Sequence, residues 1–419
     1  MGAFLVISLF SCTFAKFFYM EQTKGKGQGV RRAVDTTRHH RENGWDYRGR
    51  AVYHFTFPVE GRFPLFGTLE GESAERAFIK LNPFGYRVYQ ILCGLPQFYA
   101  AKGFALKVLA QKVMPDHIHL VIQVLEPLSQ SIGAVVRGFK SACTMVYKQE
   151  FLSCGENAAE VHSIANRQGN AAEVHSIASQ QGNTAALMHF ARIFANRNSI
   201  WQQDAAYYHE RILHAPGQLN RMINYVKDNP RRLWLKKNNP DLFRLHRHTE
   251  MCGLSFTSLG NHFLLDWHDN QTVEMPRNAT VEQVQKRLQL AMAAAQNGAV
   301  TYTAAISKGE QLIARTLRKQ GYPLVVLLSD GFPKEGSPHE RFYKPGGIYF
   351  EACSKGQLLL LEPTEQTFLN ADIQSAVEET LRRKAAGRHY GYKQIPLKSQ
   401  RYRFVALNEI AKRLARIER

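Results

Sequence analysis

The stretch VMPDHIHLVIQV, residues 113–124, decides how this sequence is read. It sets His117 and His119 one residue apart inside an apolar run. In a β-strand, residues i and i+2 point to the same face. Both imidazoles therefore project side by side, while Ile118, Leu120 and Ile122 face the other way or continue a core. Two parallel imidazoles one strand step apart suit a single divalent ion, with a further ligand from elsewhere in the chain. Taken alone, such a pair is more often packing than chemistry.

Working outward, residues 104–111 and 117–124 predict two strands joined by a tight turn at Met114-Pro115-Asp116. Residues 49–57, which end in VYHFTF, alternate as an earlier strand. Residues 73–92 mix apolar positions with Pro83 and Gly85 and give no clear element. Residues 128–151 predict a helix, capped by Ser129 or Ser131, with an apolar stripe of Ile132, Val135, Phe139, Cys143, Val146 and Tyr147. Arg137, Lys140 and Lys148 lie off that stripe. A second helix is expected from about 217, after Pro216, with Leu219, Met222, Ile223 and Val226 on its apolar face. Pro230 is expected to end it and to push Asn229 out of helical geometry.

Between these helices, NAAEVHSIANRQG at 157–169 is followed by NAAEVHSIASQQG at 170–182. A solenoid needs more and longer repeats. The repeat reads as an expansion within a surface insertion at about 154–190, tolerated because lengthening a loop costs little. His162 and His175 recur because the repeat does.

The chain has 419 residues, with Lys+Arg 54 against Asp+Glu 35 and a net charge of +19. That excess points to an acidic polymer as partner, nucleic acid first. The six cysteines are scattered with no C-x-x-C pair, which excludes a disulfide framework and a zinc-knuckle spacing and suits a reducing cytoplasm. The apolar opening MGAFLVISLFSCTFA is short for a membrane span and lacks a positive leader. Residues 1–44 are expected to be an extension, disordered or, over 1–19, preceding a start at Met20.

After residue 250 the texture changes. GAVTYTAAIS (298–307), YPLVVLLSDG (322–331) and GQLLLLEP (356–363) read as buried strands, with helices at 308–320 and 371–385 between and after them. Apolar runs alternating with helices predict a parallel α/β sheet. Gly298, Ser307, Gly309 and Gly331 are turn residues at strand ends, where such sheets bind ligands. No G-x-G-x-x-G or P-loop is present, so no nucleotide cofactor is expected. From residue 382 onward there are 12 Lys/Arg against 2 Glu, a basic arm or a basic last helix.

MPDHIHLVIQ resembles the strand signature of the HUH endonuclease superfamily, in particular the single-tyrosine transposases of small bacterial insertion sequences and the REP-associated tyrosine transposases. The usual form there is Met-Pro-Asn-His-x-His, and Asp116 stands in place of the Asn. YHFTF followed by PLFG, the helix containing GFKS, and the segments WQQDAAYYHERI and INYVKDNPRRLW extend the resemblance over roughly residues 45–245. It implies an α+β HUH domain with an antiparallel, ferredoxin-like sheet at 45–248. The second half, 255–419, weakly resembles the Rossmann-like fold of DNA-processing protein A and is expected to be an accessory domain.

The resemblance implies Tyr225 as the nucleophile, ahead of the alternatives Tyr207 and Tyr208. It implies His117 and His119 as ligands of Mg²⁺ or Mn²⁺. Asn229, one helical turn after Tyr225, is either a third ligand or a plain helix-end residue. Arg137, Lys140, Arg231 and Arg232 are candidate phosphate contacts, or a solvated face. The implied substrate is single-stranded hairpin DNA, cut through a 5′-phosphotyrosine link, with no membrane role. Tyrosine and histidines could meet within one chain or across a homodimer. The rivals are a domesticated, non-catalytic DNA-binding regulator and a hydrolytic metallonuclease.

Overall fold

The computed structural model describes residue 42 and residues 44–151, 199–202, 209–333, 347–386, 395–397 and 399–416. The tandem repeat, Tyr207, Tyr208 and the start at Met20 lie outside these residues. The chain divides into two compact units, one of residues 35–238 and one that contains 239–419.

In the first unit, β1 (Ala51–Pro58) is followed by a short hairpin, β2 (Gly67–Glu70) and β3 (Phe78–Leu81). Helix α1 (Pro83–Ala100) comes next, then β4 (Leu106–Met114), β5 (His117–Val124), α2 (Gly133–Phe151), β6 (His209–Ile212) and α3 (Gln218–Asn238). The main sheet is antiparallel, in the order β4-β5-β1-β6. Alternation gives it two different faces. Tyr53, Phe55 and Phe57 of β1 and Ile118, Leu120, Ile122 and Val124 of β5 join one core with α1 and α2. The expected stripe of α2 is buried there at Ile132, Val135, Phe139, Cys143 and Tyr147, with Val146 packed against it. The opposite face carries Val121, with Leu219, Met222, Tyr225 and Val226 of α3 packed over it.

Two expectations change. The stretch that gave no clear element contains β3 and most of α1. Its proline and glycine mark a helix start: Asn82 is the N-cap, accepting from the Gly85 N–H at 2.7 Å, and Pro83 takes the first helical position. Helix α3 also runs through Pro230 to Asn238. A proline inside a helix costs about 3 kcal/mol. Burial of the apolar Val226 and Pro230 against the sheet helps to offset that cost.

In the second unit, β7 (His246–Met251), β8 (Leu254–Gly260) and β9 (Asn270–Thr272) precede α4 (Val281–Gln296), β10 (Val300–Thr303), α5 (Lys308–Lys319) and β11 (Leu324–Leu327). Then come α6 (Gly347–Ser354), β12 (Leu358–Pro363), α7 (Glu365–Phe368), α8 (Ala371–Ala385) and α9 (Gln400–Ala415). The sheet order is β7-β8-β12-β11-β10-β9. β9 to β12 are parallel, as the three apolar runs predict, and β8 and β7 add an antiparallel edge. Successive residues of β11 and β12 are buried on both faces, which explains their unbroken hydrophobicity. The basic end of the chain forms a helix, α9, whose Ala406, Leu407, Ile410 and Leu414 close the core.

A cavity of about 600 Å³ opens beyond β9 and β10, lined by Arg277, Lys384, Arg401 and Phe404 among others. The α5 N-terminus beside it is where a parallel sheet commonly receives a phosphate. Here a side chain of the protein fills that role. Glu310 is buried and accepts from the N–H groups of Met275 (2.9 Å), Ile306 (2.6 Å) and Ser307 (2.9 Å). Burial pushes its carboxyl above the ordinary range, against the pull of those three donors. Glu310→Ala strands three backbone donors and is expected to cost on the order of 3 kcal/mol of stability. Glu310→Gln, which keeps one acceptor oxygen, is expected to lose less. Thermal unfolding of the two variants checks this order.

Candidate active site

The site grows from the β1–β5 ladder. Thr56 pairs with His119, and Pro58 with His117. The β4–β5 turn is pinned from outside: the Val59 N–H donates to the Asp116 carbonyl at 2.9 Å, and the Phe66 N–H to the Pro115 carbonyl at 3.0 Å. His117 and His119 share the face that α3 covers, and both are buried. Their Nε2 atoms lie 3.1 Å apart with the rings nearly perpendicular, at 89°.

The other ring nitrogens are held from behind. His117 Nδ1 lies 2.5 Å from Asp116 Oδ1, and Asp116 Oδ2 lies 3.1 Å from Arg62 Nε. His119 Nδ1 lies 3.0 Å from Thr56 Oγ1 and 3.1 Å from His54 Nε2. His54 is a third buried imidazole on the same face, stacked 5.2 Å from the His119 ring.

Helix α3 brings Tyr225 onto this cluster. Its ring centroid is 5.5 Å from that of His119 and 6.4 Å from that of His54, edge-on to both. The Arg232 guanidinium, about two turns further along α3, sits 5.5 Å from the centre of the Tyr225 ring. Burial raises the phenol above its ordinary pKa, so it is protonated at neutral pH. Arg232, the Asn229 side chain, Arg62 and Arg211 pull the other way. Lys236, which feels Arg232 and Arg62, is pushed down to about 8, first by burial and then by those two cations. A half-buried phenol ringed by cations is poised to meet an anion.

The structure thus brings Tyr225 to His119, with His117 beside His119, and sets Asn229 and Arg232 against Tyr225. Asn229 is buried, and its side-chain amide donates to the Tyr225 carbonyl at 2.8 Å. Arg231, half-buried, is tied to Asp228 at 2.6 Å. Arg137 and Lys140 lie on α2, which covers the opposite face of the sheet. Arg137 is exposed there. Lys140 is buried, with its ammonium 5.8 Å from the Trp201 ring, so it is not placed on a surface that could meet DNA. Sequence reasoning missed Arg62, Arg211, Lys236, His54 and Thr56. The segment YHFT, with His54 and Thr56 alternating as His117 and His119 do, is the one signal that pointed to a shared face.

The donor set suits a six-coordinate ion. Two nitrogens adjacent on an octahedral ion, with bonds of about 2.1 Å, stand about 3.0 Å apart, close to the spacing of the two Nε2 atoms. Among the described residues, no group of three or more His, Cys, Asp or Glu side chains is placed to hold an ion. The protein offers two nitrogens, and the remaining positions would fall to water or phosphate, the Asn229 side chain being tied to Tyr225.

Burial drops the Lys140 ammonium from 10.5 to about 7. Its folded pKa is below its unfolded one, so the unfolded chain binds the extra proton between those values, and stability rises with pH across that window. Lys140→Met is expected to flatten the rise, as read by urea unfolding at several pH values.

Residues 94–164 match the sequence model of the family described as "Transposase IS200 like". That stretch contains His117, His119, Arg137 and Lys140, and it ends before Tyr225. No curated protein matches the chain. A crystal structure of a candidate transposase from Deinococcus radiodurans is similar at 13% identity and a TM-score of 0.23, over 45% of this chain and 95% of that one. Among the described residues, no helix is long and apolar enough to cross a membrane.

Proposed function

We propose that this chain, which carries an IS200-like transposase sequence signature, cuts and rejoins single-stranded hairpin DNA through a covalent tyrosine link. The observation that carries the reading is the placement of the Tyr225 ring 5.5 Å from that of His119 within a single chain. In the proposed reaction, the Tyr225 oxygen attacks the scissile phosphorus and loses its proton. The bond to the 3′ oxygen breaks, and that oxygen takes a proton to leave a free 3′-OH. The product is a 5′-phosphotyrosine. Because one phosphoester replaces another, rejoining to a second 3′-OH needs no external energy source.

His117 and His119 would hold Mg²⁺ or Mn²⁺, which when bound supplies charge neutralisation at the scissile phosphate. Arg62, Arg211 and Arg232 act electrostatically on the phenol and would favour both the approaching phosphate and the developing phenolate. The net charge of +19 supports a polyanionic substrate.

The test is to incubate the full chain with a labelled hairpin oligonucleotide and Mn²⁺ and to run a denaturing gel. A protein–DNA adduct is expected, with Tyr225→Phe losing it by at least about 10³-fold, the scale of removing a nucleophile. Cleavage with no adduct would make the protein a hydrolytic metallonuclease. Binding without cleavage across many hairpins would make it a regulator. The location of all three side chains in one chain gives a second expectation. Mixing inactive Tyr225→Phe with inactive His119→Ala should not restore the adduct, whereas a site shared across a dimer would be restored by complementation.

A further inference from the structure

Asp116 is where this sequence departs from the Met-Pro-Asn-His-x-His form, and the structure gives the departure a physical consequence. An ionised carboxylate only accepts hydrogen bonds. With Asp116 Oδ1 2.5 Å from His117 Nδ1, the proton of a neutral His117 must sit on Nδ1. Its Nε2 is left with a lone pair, directed at His119 Nε2 3.1 Å away. An asparagine could accept the same bond through its oxygen, but it carries no charge. Its amide, turned over, would select the other tautomer.

The carboxylate is itself held. Its second oxygen lies 3.1 Å from Arg62 Nε, and the two side chains are only 24% and 16% exposed. Arg62 reaches it from the short turn Glu60–Arg62 after β1, at a left-handed backbone φ of 56°. Non-glycine residues seldom adopt that conformation without a compensating contact. On the other side, His119 Nδ1 lies between Thr56 Oγ1 and His54 Nε2. Without an ion, a proton on His119 Nε2 can be donated to the His117 Nε2 lone pair; for both Nε2 atoms to hold a cation, His119 would carry its proton on Nδ1, toward Thr56 Oγ1 or His54 Nε2.

We propose that Asp116 is a positioning residue that sets the cation affinity of the His117–His119 pair. It fixes the His117 tautomer and places a negative charge one hydrogen bond behind the imidazole ring, with Arg62 ion-paired to its other oxygen. The inference rests on reading that pair as an ion site. Outer partners of metal-bound histidines typically control affinity by about 10- to 100-fold.

The experiment is Mn²⁺ binding to the full chain by isothermal titration calorimetry, with no DNA present. Wild type, Asp116→Asn, Asp116→Ala and the double variant His117→Ala/His119→Ala are compared. Asp116→Asn is expected to bind about 10-fold more weakly and Asp116→Ala up to about 100-fold more weakly. Thermal unfolding in EDTA should leave Asp116→Asn close to wild type, separating affinity from folding. Imidazole ¹⁵N shifts without metal should show the His117 proton on Nδ1 in wild type and a mixture of tautomers in Asp116→Ala. If both Asp116 variants bind Mn²⁺ like wild type, Asp116 only ties the turn to Arg62, and this inference alone falls. If wild type binds no better than the double-histidine variant, the ion-site reading falls and takes the inference with it.

Discussion

The antiparallel register that sets Thr56 against His119 and Pro58 against His117 is the constraint on which the first unit depends. A strand has a side-chain period of two, so this register sorts every residue of β1 and β5 at once. It sends Phe55, Phe57, Ile118 and Leu120 into one core. It sends His54, Thr56, His117 and His119 to the opposite face, where α3 lies. A slip of one residue would bury the imidazoles among phenylalanines and expose the apolar set to the helix that carries Tyr225. Packing and chemistry are therefore specified by the same pairing. The cost of misplacing the apolar side chains protects the placement of the polar ones.

The second unit shows the opposite use of the same physics. Its parallel strands deliver a helix N-terminus to the edge of a cavity, the usual setting for an anion. Glu310 satisfies that terminus internally, together with the N–H of Met275. A bound phosphate would have to share those donors with a carboxylate already in place.

Much of this was legible in the sequence where a pattern is local. The alternation of VYHFTF and DHIHLVIQV is enough for β1 and β5, and the apolar stripe from Ile132 to Tyr147 is enough for α2. The unbroken runs at 322–331 and 356–363 announce strands buried on both faces. What was not legible depends on context. Pro83 looks like a breaker unless Asn82 is seen to cap the helix it opens. Pro230 looks like a stop unless burial of Val226 and of the proline itself is known. Lys140 reads as a surface cation, although it stands seven residues before Tyr147 at the border of the apolar stripe, and it is buried beside Trp201. Arg62 and Arg211 reach Tyr225 only because the strands beside it are paired, and no spacing rule links residue 62 to residue 225.

The protonation state of Tyr225 ties these observations together. Burial against His119 and His54 raises its pKa, which taken alone makes a poorer nucleophile at neutral pH. Arg232, Arg62 and Arg211 oppose that shift without overcoming it. The same cations that would stabilise a phenolate would also attract a phosphate. An entering phosphate brings negative charge, which favours keeping the phenol protonated. An ion between His117 and His119 would counter that charge and restore the bias toward ionisation. On the proposed reading the phenol rests protonated, and its ionisation would follow the balance between burial, the neighbouring arginines and the charge of whatever the site binds. That would suit a residue whose proposed product is a covalent bond to DNA.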